Sequence, residues 1–230
     1  MTYRELNLTF QRQEINIKLP KHYFKTNEAT YPLVIVQDGD YLFKDIEHDV
    51  IFVGIVANNR NQDYTPWEST VNDIEYGGQA QDYVTWVADV LIPYLRKCFR
   101  ISHNRDEIGI AGASFGGLVS LYALFKRPDV FGNYIFISPS VWYPQFIDFM
   151  KSQSIIRAPQ HVYWYVGHHE GKQSNHLNRY MVPRTEQAVE ILNELLVSEQ
   201  SEFYFVTDRK GIHRKRYFKK YFNKAINKLF

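Results

Sequence analysis

Gly112-Ala113-Ser114-Phe115-Gly116 is the stretch of this 230-residue chain whose residue types and spacing point to covalent chemistry. An apolar strand-like run, Ile108 to Ala111, leads into it, and an apolar helical run, Leu118 to Phe125, leaves it. Gly-x-Ser-x-Gly between a strand and a helix marks a serine held on a sharp bend, with its hydroxyl presented outward. Small residues two places either side let neighbouring backbone pass without a Cβ clash. The free N–H groups of the helix that follows face the place where negative charge would develop on a substrate. Gly117 adds a further small residue where that helix must lie close to the sheet. The chemistry implied is nucleophilic attack by Ser114 on a carbonyl.

A serine hydroxyl is a weak nucleophile until a base takes its proton and a third group orients the base. In α/β-hydrolases the order along the chain is serine, acid, histidine, each on a loop after a strand. His213 follows the final strand-like run, in Gly211-Ile212-His213, and Glu170 follows the preceding one, in Val166-Gly167-His168-His169-Glu170-Gly171. Asp208 is a rival acid, although it stands at the foot of the loop that must deliver His213. The oxyanion needs two backbone donors. One is expected from Phe115 and the other from the turn after the first buried strand, at Gly39–Asp40. His22, His48, His103 and His161 fall in turns or at strand edges, where surface positions explain them. His168, His169 and His176 lack the His-x-x-x-His helix spacing of a zinc site, so neither a metal nor another cofactor is expected.

The elements that must position these residues follow from hydrophobic period. Tyr3 to Phe10 and Glu14 to Leu19 alternate as paired half-buried strands do. Pro32 to Val36 and Ile51 to Val56 are continuous apolar runs, suited to strands covered on both faces. A polar turn is expected around Lys25 to Thr30, and a long loop without regular pattern from Asn58 to Tyr76. Gly78 to Phe99 is helical in pattern, with a bend or a new turn at Pro93. Tyr134 to Ile137, Val162 to Val166 and Phe203 to Val206 read as further strands. Pro144 to Ser154, a segment opening at Pro183, and Arg214 to Phe230 read as helices. The alternation predicts a single α/β domain over residues 1–230, a mostly parallel sheet with helices on both faces.

Composition narrows the classes of function. A formal charge of +2 argues against a dedicated nucleic-acid binder, and a single cysteine, Cys98, excludes a fold stapled by internal disulfides. The first residues lack an apolar signal-peptide core and no run reaches membrane-spanning length, so a cytoplasmic protein without membrane contact is expected. Seventeen tyrosines, 16 phenylalanines and 4 tryptophans predict aromatic pocket walls. The oligomeric state is not legible.

The motifs together resemble the putative-esterase family of α/β-hydrolases, which includes siderophore esterases, S-formylglutathione hydrolases and feruloyl esterases. The matching residues are Gln37-Asp38-Gly39, Gln62-Asp63-Tyr64-Thr65-Pro66, Gly77-Gly78 and Leu91-Ile92-Pro93-Tyr94. They continue through Gly112 to Leu118, Arg127-Pro128-Asp129-Val130-Phe131 and Ser138-Pro139-Ser140-Val141-Trp142. The resemblance implies Ser114 as nucleophile, Glu170 as acid, His213 as base, and a pocket shaped by Tyr64, Trp67 and Trp142. It implies a serine carboxylic-ester hydrolase acting on a small-molecule ester, of siderophore or short acyl or aryl type. Around the histidine the chain departs from the family: Ile212 precedes it and Arg214-Lys215-Arg216 follow. These charges read more readily as solvating the last helix than as steering an acidic substrate. Two other readings use the same residues: a hydrolase-fold binding protein with weak or no catalysis, and an acyltransferase that keeps water from the acyl-enzyme.

Overall fold

Five neighbouring strands of the sheet are buried, apart from the half-buried His161 at the start of one, because apolar layers cover both sides of the sheet. The computed structural model describes residues 4–25 and 29–230; Tyr3 of the expected first strand and 26–28 of the expected polar turn lie outside the described residues. The strands are β1 (Glu5–Phe10), β2 (Gln13–Lys18), β3 (Leu33–Gln37), β4 (Ile51–Ile55), β7 (Ile108–Ala113), β8 (Asn133–Ile137), β9 (His161–Gly167) and β10 (Glu202–Asp208). They form one sheet in the order β1-β2-β4-β3-β7-β8-β9-β10, antiparallel at β1, β2 and β4 and parallel from β4 onward. The order reverses between β3 and β7. Ligands of open α/β sheets bind beyond the carboxyl ends of the strands at such a switch point.

Side chains alternate between the two layers with period 2. Leu33 and Ile35 face one core, with α2 (Ala80–Trp86), α3 (Ile92–Cys98), α4 (Phe115–Lys126), α5 (Phe146–Lys151) and α6 (Met181–Leu195). Val34 and Val36 face the other, covered by α7 (Lys215–Leu229) and by Leu42, Phe43 and Ile46. The α7 stripe Phe218, Tyr221, Phe222, Ala225 and Ile226 is buried. Its lysines are held at the surface: Lys219 pairs with Asp45, Lys220 with Asp208, and Lys228 lies over the Tyr204 ring. No helix among the described residues is long and apolar enough to cross a membrane.

Two expectations need correction. The Asn58–Tyr76 stretch is not a patternless loop: it holds α1 (Arg60–Asp63) and a hairpin of β5 (Glu68–Val71) and β6 (Ile74–Gly77). Asn72 and Asp73 both adopt positive φ at its tip, the conformation that a tight two-residue hairpin turn demands. The segment at Pro183 starts two residues earlier, at Met181, so the proline sits in the first helical turn, where its missing N–H costs no bond. Between α2 and α3 the helix continues as one π turn, Val87–Leu91. The extra residue rotates the buried stripe, so that Ile92 and Leu95 carry it onward while Tyr94 turns to stack on Phe10.

Candidate active site

Ser114 stands at the junction of β7 and α4 with φ 58° and ψ −121°, a conformation that only a strongly constrained non-glycine residue holds. The constraint is visible in the bonds around it: its N–H donates to the Ile137 carbonyl (3.0 Å), and its carbonyl accepts from Leu118 and Ser140. A Cβ at Gly112 would collide with the Gly116 backbone, and one at Gly117 would lie 3.0 Å from Pro139 Cα. The glycines therefore let strand, bend and helix close together, as their spacing predicts.

Three loops from different strands converge here. His213 Nε2 lies 3.1 Å from Ser114 Oγ, and His213 Nδ1 lies 2.7 Å from Glu170 Oε2. Glu170 is fully buried, and its other oxygen accepts from Ser138 Oγ (2.7 Å) and the Gly167 amide (2.9 Å). A carboxylate can only accept, so the Nδ1 nitrogen carries the proton and Nε2 is left to accept from the serine. The approach of the two loops depends on paired glycines: a Cβ on Gly211 would stand 2.6 Å from Gly167 Cα and 2.5 Å from the Tyr165 hydroxyl. The His169 amide then donates to the Gly211 carbonyl (2.9 Å), tying the loops together. Phe218 packs edge-on against the His213 ring.

Asp208 is turned away from this cluster. It accepts from the Tyr221 hydroxyl (2.7 Å), the Lys210 amide (2.8 Å) and Lys220 (3.2 Å). These donors, led by Tyr221, hold its carboxyl down at about 2. A carboxyl depressed in the folded state contributes stability above its unfolded value that is lost as pH falls through the folded one. Asp208→Asn is accordingly expected to unfold more readily in neutral buffer and to show a smaller stability loss between about pH 4 and pH 2. Its kcat/KM on an ester should stay within severalfold of wild type. Chemical denaturation across that pH range, beside initial rates, checks both.

The expected oxyanion donors separate. The Phe115 amide opens α4 directly after Ser114. The Gly39 amide instead continues the parallel ladder and donates to the Ile55 carbonyl (2.9 Å), because alternate amides of β3 face β4. Asp40 lies on a depression lined by Glu5, Asn16 and Lys44, at the β2 side of the sheet. The amide on the nucleophile side of this turn is that of Asp38, which donates to the Tyr64 hydroxyl at 3.2 Å, and the Asp38 carboxylate packs beside Gly116. Tyr64 is therefore a core residue, with no exposed surface to offer a substrate. Burial raises its hydroxyl well above the usual tyrosine range, so it stays protonated and bonds Tyr83, which in turn donates to Gln37. Trp67 is also structural: its indole donates to the Pro144 carbonyl (3.0 Å), and its ring packs among Tyr143, Phe146 and Phe149. Trp142 alone of the three aromatics borders the nucleophile, edge-on to Phe115, and walls a pocket of about 240 Å³ with Leu177 and Tyr180.

Sequence reasoning missed three contributors. Ser140 is buried with its hydroxyl 3.3 Å from Ser114 Oγ. Ser138 braces Glu170 from a backbone at φ 46°. Arg60 forms a two-pronged pair with Asp38 (3.0 Å each) and lies over the Phe115 ring. Burial opposes the Arg60 charge, but the Asp38 carboxylate outweighs it and leaves the guanidinium raised. Ser138-Pro139-Ser140 after a buried strand was the available signal for the first two; Arg60 had none. Among the described residues no cluster of His, Cys, Asp and Glu has the arrangement of a metal site.

The chain is similar to proteins of known sequence and of known structure. A Bacillus subtilis protein, YbbA, described as uncharacterized, is 28% identical over 95% of this chain and 92% of its own length. A siderophore triacetylfusarinine C esterase of Aspergillus fumigatus is 35% identical, but the match covers 56% of this chain and 51% of the relative. Among solved structures, an IroE-like serine hydrolase from Shewanella oneidensis superposes with a TM-score of 0.78 at 20% identity, over 100% of this chain and 80% of the other. The siderophore hydrolase EstB from Aspergillus nidulans gives 0.74 at 20% identity, over 98% and 94%. These two structures share the fold. The putative esterase family model matches residues 8–229, nearly the whole chain, and the chain belongs to that family.

Proposed function

We propose that this carboxylic ester hydrolase works through an acyl-enzyme on Ser114, with His213 as base and Glu170 as the acid that orients it. The observation that carries the proposal is the unbroken path from Ser114 Oγ to His213 Nε2 (3.1 Å) and from His213 Nδ1 to Glu170 (2.7 Å). His213 takes the Ser114 proton as Oγ attacks the ester carbonyl, and the tetrahedral oxyanion is met by the Phe115 amide and by the Asp38 amide, which exchanges its bond to the Tyr64 hydroxyl (3.2 Å) for one to the oxyanion. The Tyr64–Tyr83–Gln37 network holds the Asp38 turn in place. His213 then gives its proton to the leaving alcohol oxygen and later activates the water that releases the acid. The partial match to a siderophore triacetylfusarinine C esterase supports a siderophore ester as one substrate class. Short acyl and aryl esters would use the same groups.

An acyl-enzyme has a kinetic fingerprint. Mixing the protein rapidly with p-nitrophenyl acetate is expected to release a burst of nitrophenolate, one equivalent per chain, before the steady state. Turnover with no covalent acetyl on Ser114 at any stage, sought by acid quench and peptide mass, would contradict the mechanism.

A further inference from the structure

The wall of the site beyond His213 is a cleft of about 710 Å³, lined by His169, Lys172, His176, Ile212, His213 and Arg214 together with small and amide residues of the 171–178 loop. No lining residue is a carboxylate. Among the described residues, neither Lys172 nor Arg214 has an ion-paired, hydrogen-bonded or ring-stacked side-chain partner. Some surface cations are paired, as Arg4 is with Glu47 and Arg127 with Asp89 and Asp129, and others such as Lys97 and Lys151 are not; what sets Lys172 and Arg214 apart is that both line one concave wall beside His213 that holds no carboxylate.

The cleft is also built. Gly171 has φ +75°, where a Cβ would run into the Asn178 carbonyl. The loop it opens is closed by Ser174 N–H to Gly171 (3.0 Å), by the Ser174–Asn178 side-chain pair and by Arg179 N–H to His176 (3.0 Å). His213 is the group that must protonate the leaving oxygen, so the alcohol half of an ester departs along the wall that His213 shares with this cleft.

We propose that the cleft binds the alcohol half of the substrate and that this half bears a carboxylate or a similarly compact anion, an inference that rests on the ester-hydrolase reading above. Unpaired cations in a concave wall attract such a group and raise the encounter rate of substrates that carry it. The acyl half is then the part free of that charge.

Three related esters, each with a four-carbon alcohol half, test this. One is neutral (butyl acetate), one carries its carboxylate on the alcohol half (4-acetoxybutanoate), and one carries it on the acyl half (butyl hydrogen succinate). The alcohol-side anion is expected to be favoured over the neutral ester by about tenfold in kcat/KM at low salt. The preference should shrink as sodium chloride shortens the reach of the charges. Lys172→Glu is expected to abolish or invert the ratio between charged and neutral esters, Lys172→Arg to restore it, and Arg214→Glu to act in the same direction. A general loss of catalysis would lower both rates and leave the ratio alone. Equal rates on all three esters, or a preference for the acyl-side anion, overturns the inference while leaving the esterase reading intact. If no ester turns over, the esterase reading itself fails, and binding of 4-acetoxybutanoate to Ser114→Ala, followed by NMR, decides the cleft. Binding weakened by Lys172→Glu upholds the inference, and absence of binding overturns it.

Discussion

Ser114→Ala is expected to lower kcat/KM on a simple aryl ester by about 10⁴- to 10⁶-fold, the range seen when a serine nucleophile is removed from an intact site. The fold should survive. The Ser114 hydroxyl has two side-chain neighbours, His213 and Ser140, and neither depends on it for burial. Alanine meets the same backbone cost at φ 58° that serine already meets, so the strain of the bend is unchanged. The Phe115 amide and the rest of the pocket remain, and they account for whatever rate is left. Initial rates beside a thermal unfolding curve separate loss of chemistry from loss of structure. Ser140, 3.3 Å away, is not placed to take over, because no base stands at hydrogen-bond distance from its hydroxyl other than through Ser114.

Glu170→Gln is the second large effect, expected at about 10³- to 10⁴-fold in kcat/KM. The cause is a tautomer. Two donors, the Ser138 hydroxyl and the Gly167 amide, converge on Oε1. A glutamine must turn its oxygen toward them, which sets its NH₂ group against His213 Nδ1. The imidazole then has a donor facing Nδ1 and moves its proton to Nε2, where it can no longer accept from Ser114. Volume and burial hardly change, so stability should fall far less than activity. Glu170→Gln beside Asp208→Asn resolves the choice of acid that the sequence leaves open. If the Gln variant stays active while the Asn variant does not, the acid is Asp208 and the buried geometry of Glu170 has another purpose.

How far the sequence carried the structure varied with the physical signal. The buried strands were legible because two-sided burial leaves unbroken apolar runs such as Leu33 to Val36. The bend at Ser114 was legible because close backbone packing demands glycine at 112 and 116. The Asn58–Tyr76 region was not, since its hairpin is four residues a strand and only Tyr76 and Val71 face the core. Its single cue was Asn72-Asp73, two residues that tolerate positive φ. The Gly39 amide is spent within the sheet. Composition favoured Gly39 for close approach, but strand alternation gives that amide to Ile55 and leaves Asp38 on the nucleophile side. The resemblance implies a pocket role for Tyr64 and Trp67, whereas both anchor their stretch to the core. The long-range pairing of Arg60 with Asp38 carries no local signature, and Ser138-Pro139-Ser140 marks a turn after a buried strand without naming Glu170 as its partner.

Activation of Ser114 as a nucleophile is tested by the reaction of the purified protein with a fluorophosphonate, read as intact mass. One adduct per chain is expected on wild type, mapped to the peptide containing Ser114, and none on Ser114→Ala at equal concentration and time. Well-folded wild-type protein that stays unmodified, or an adduct that persists on the variant, would contradict it.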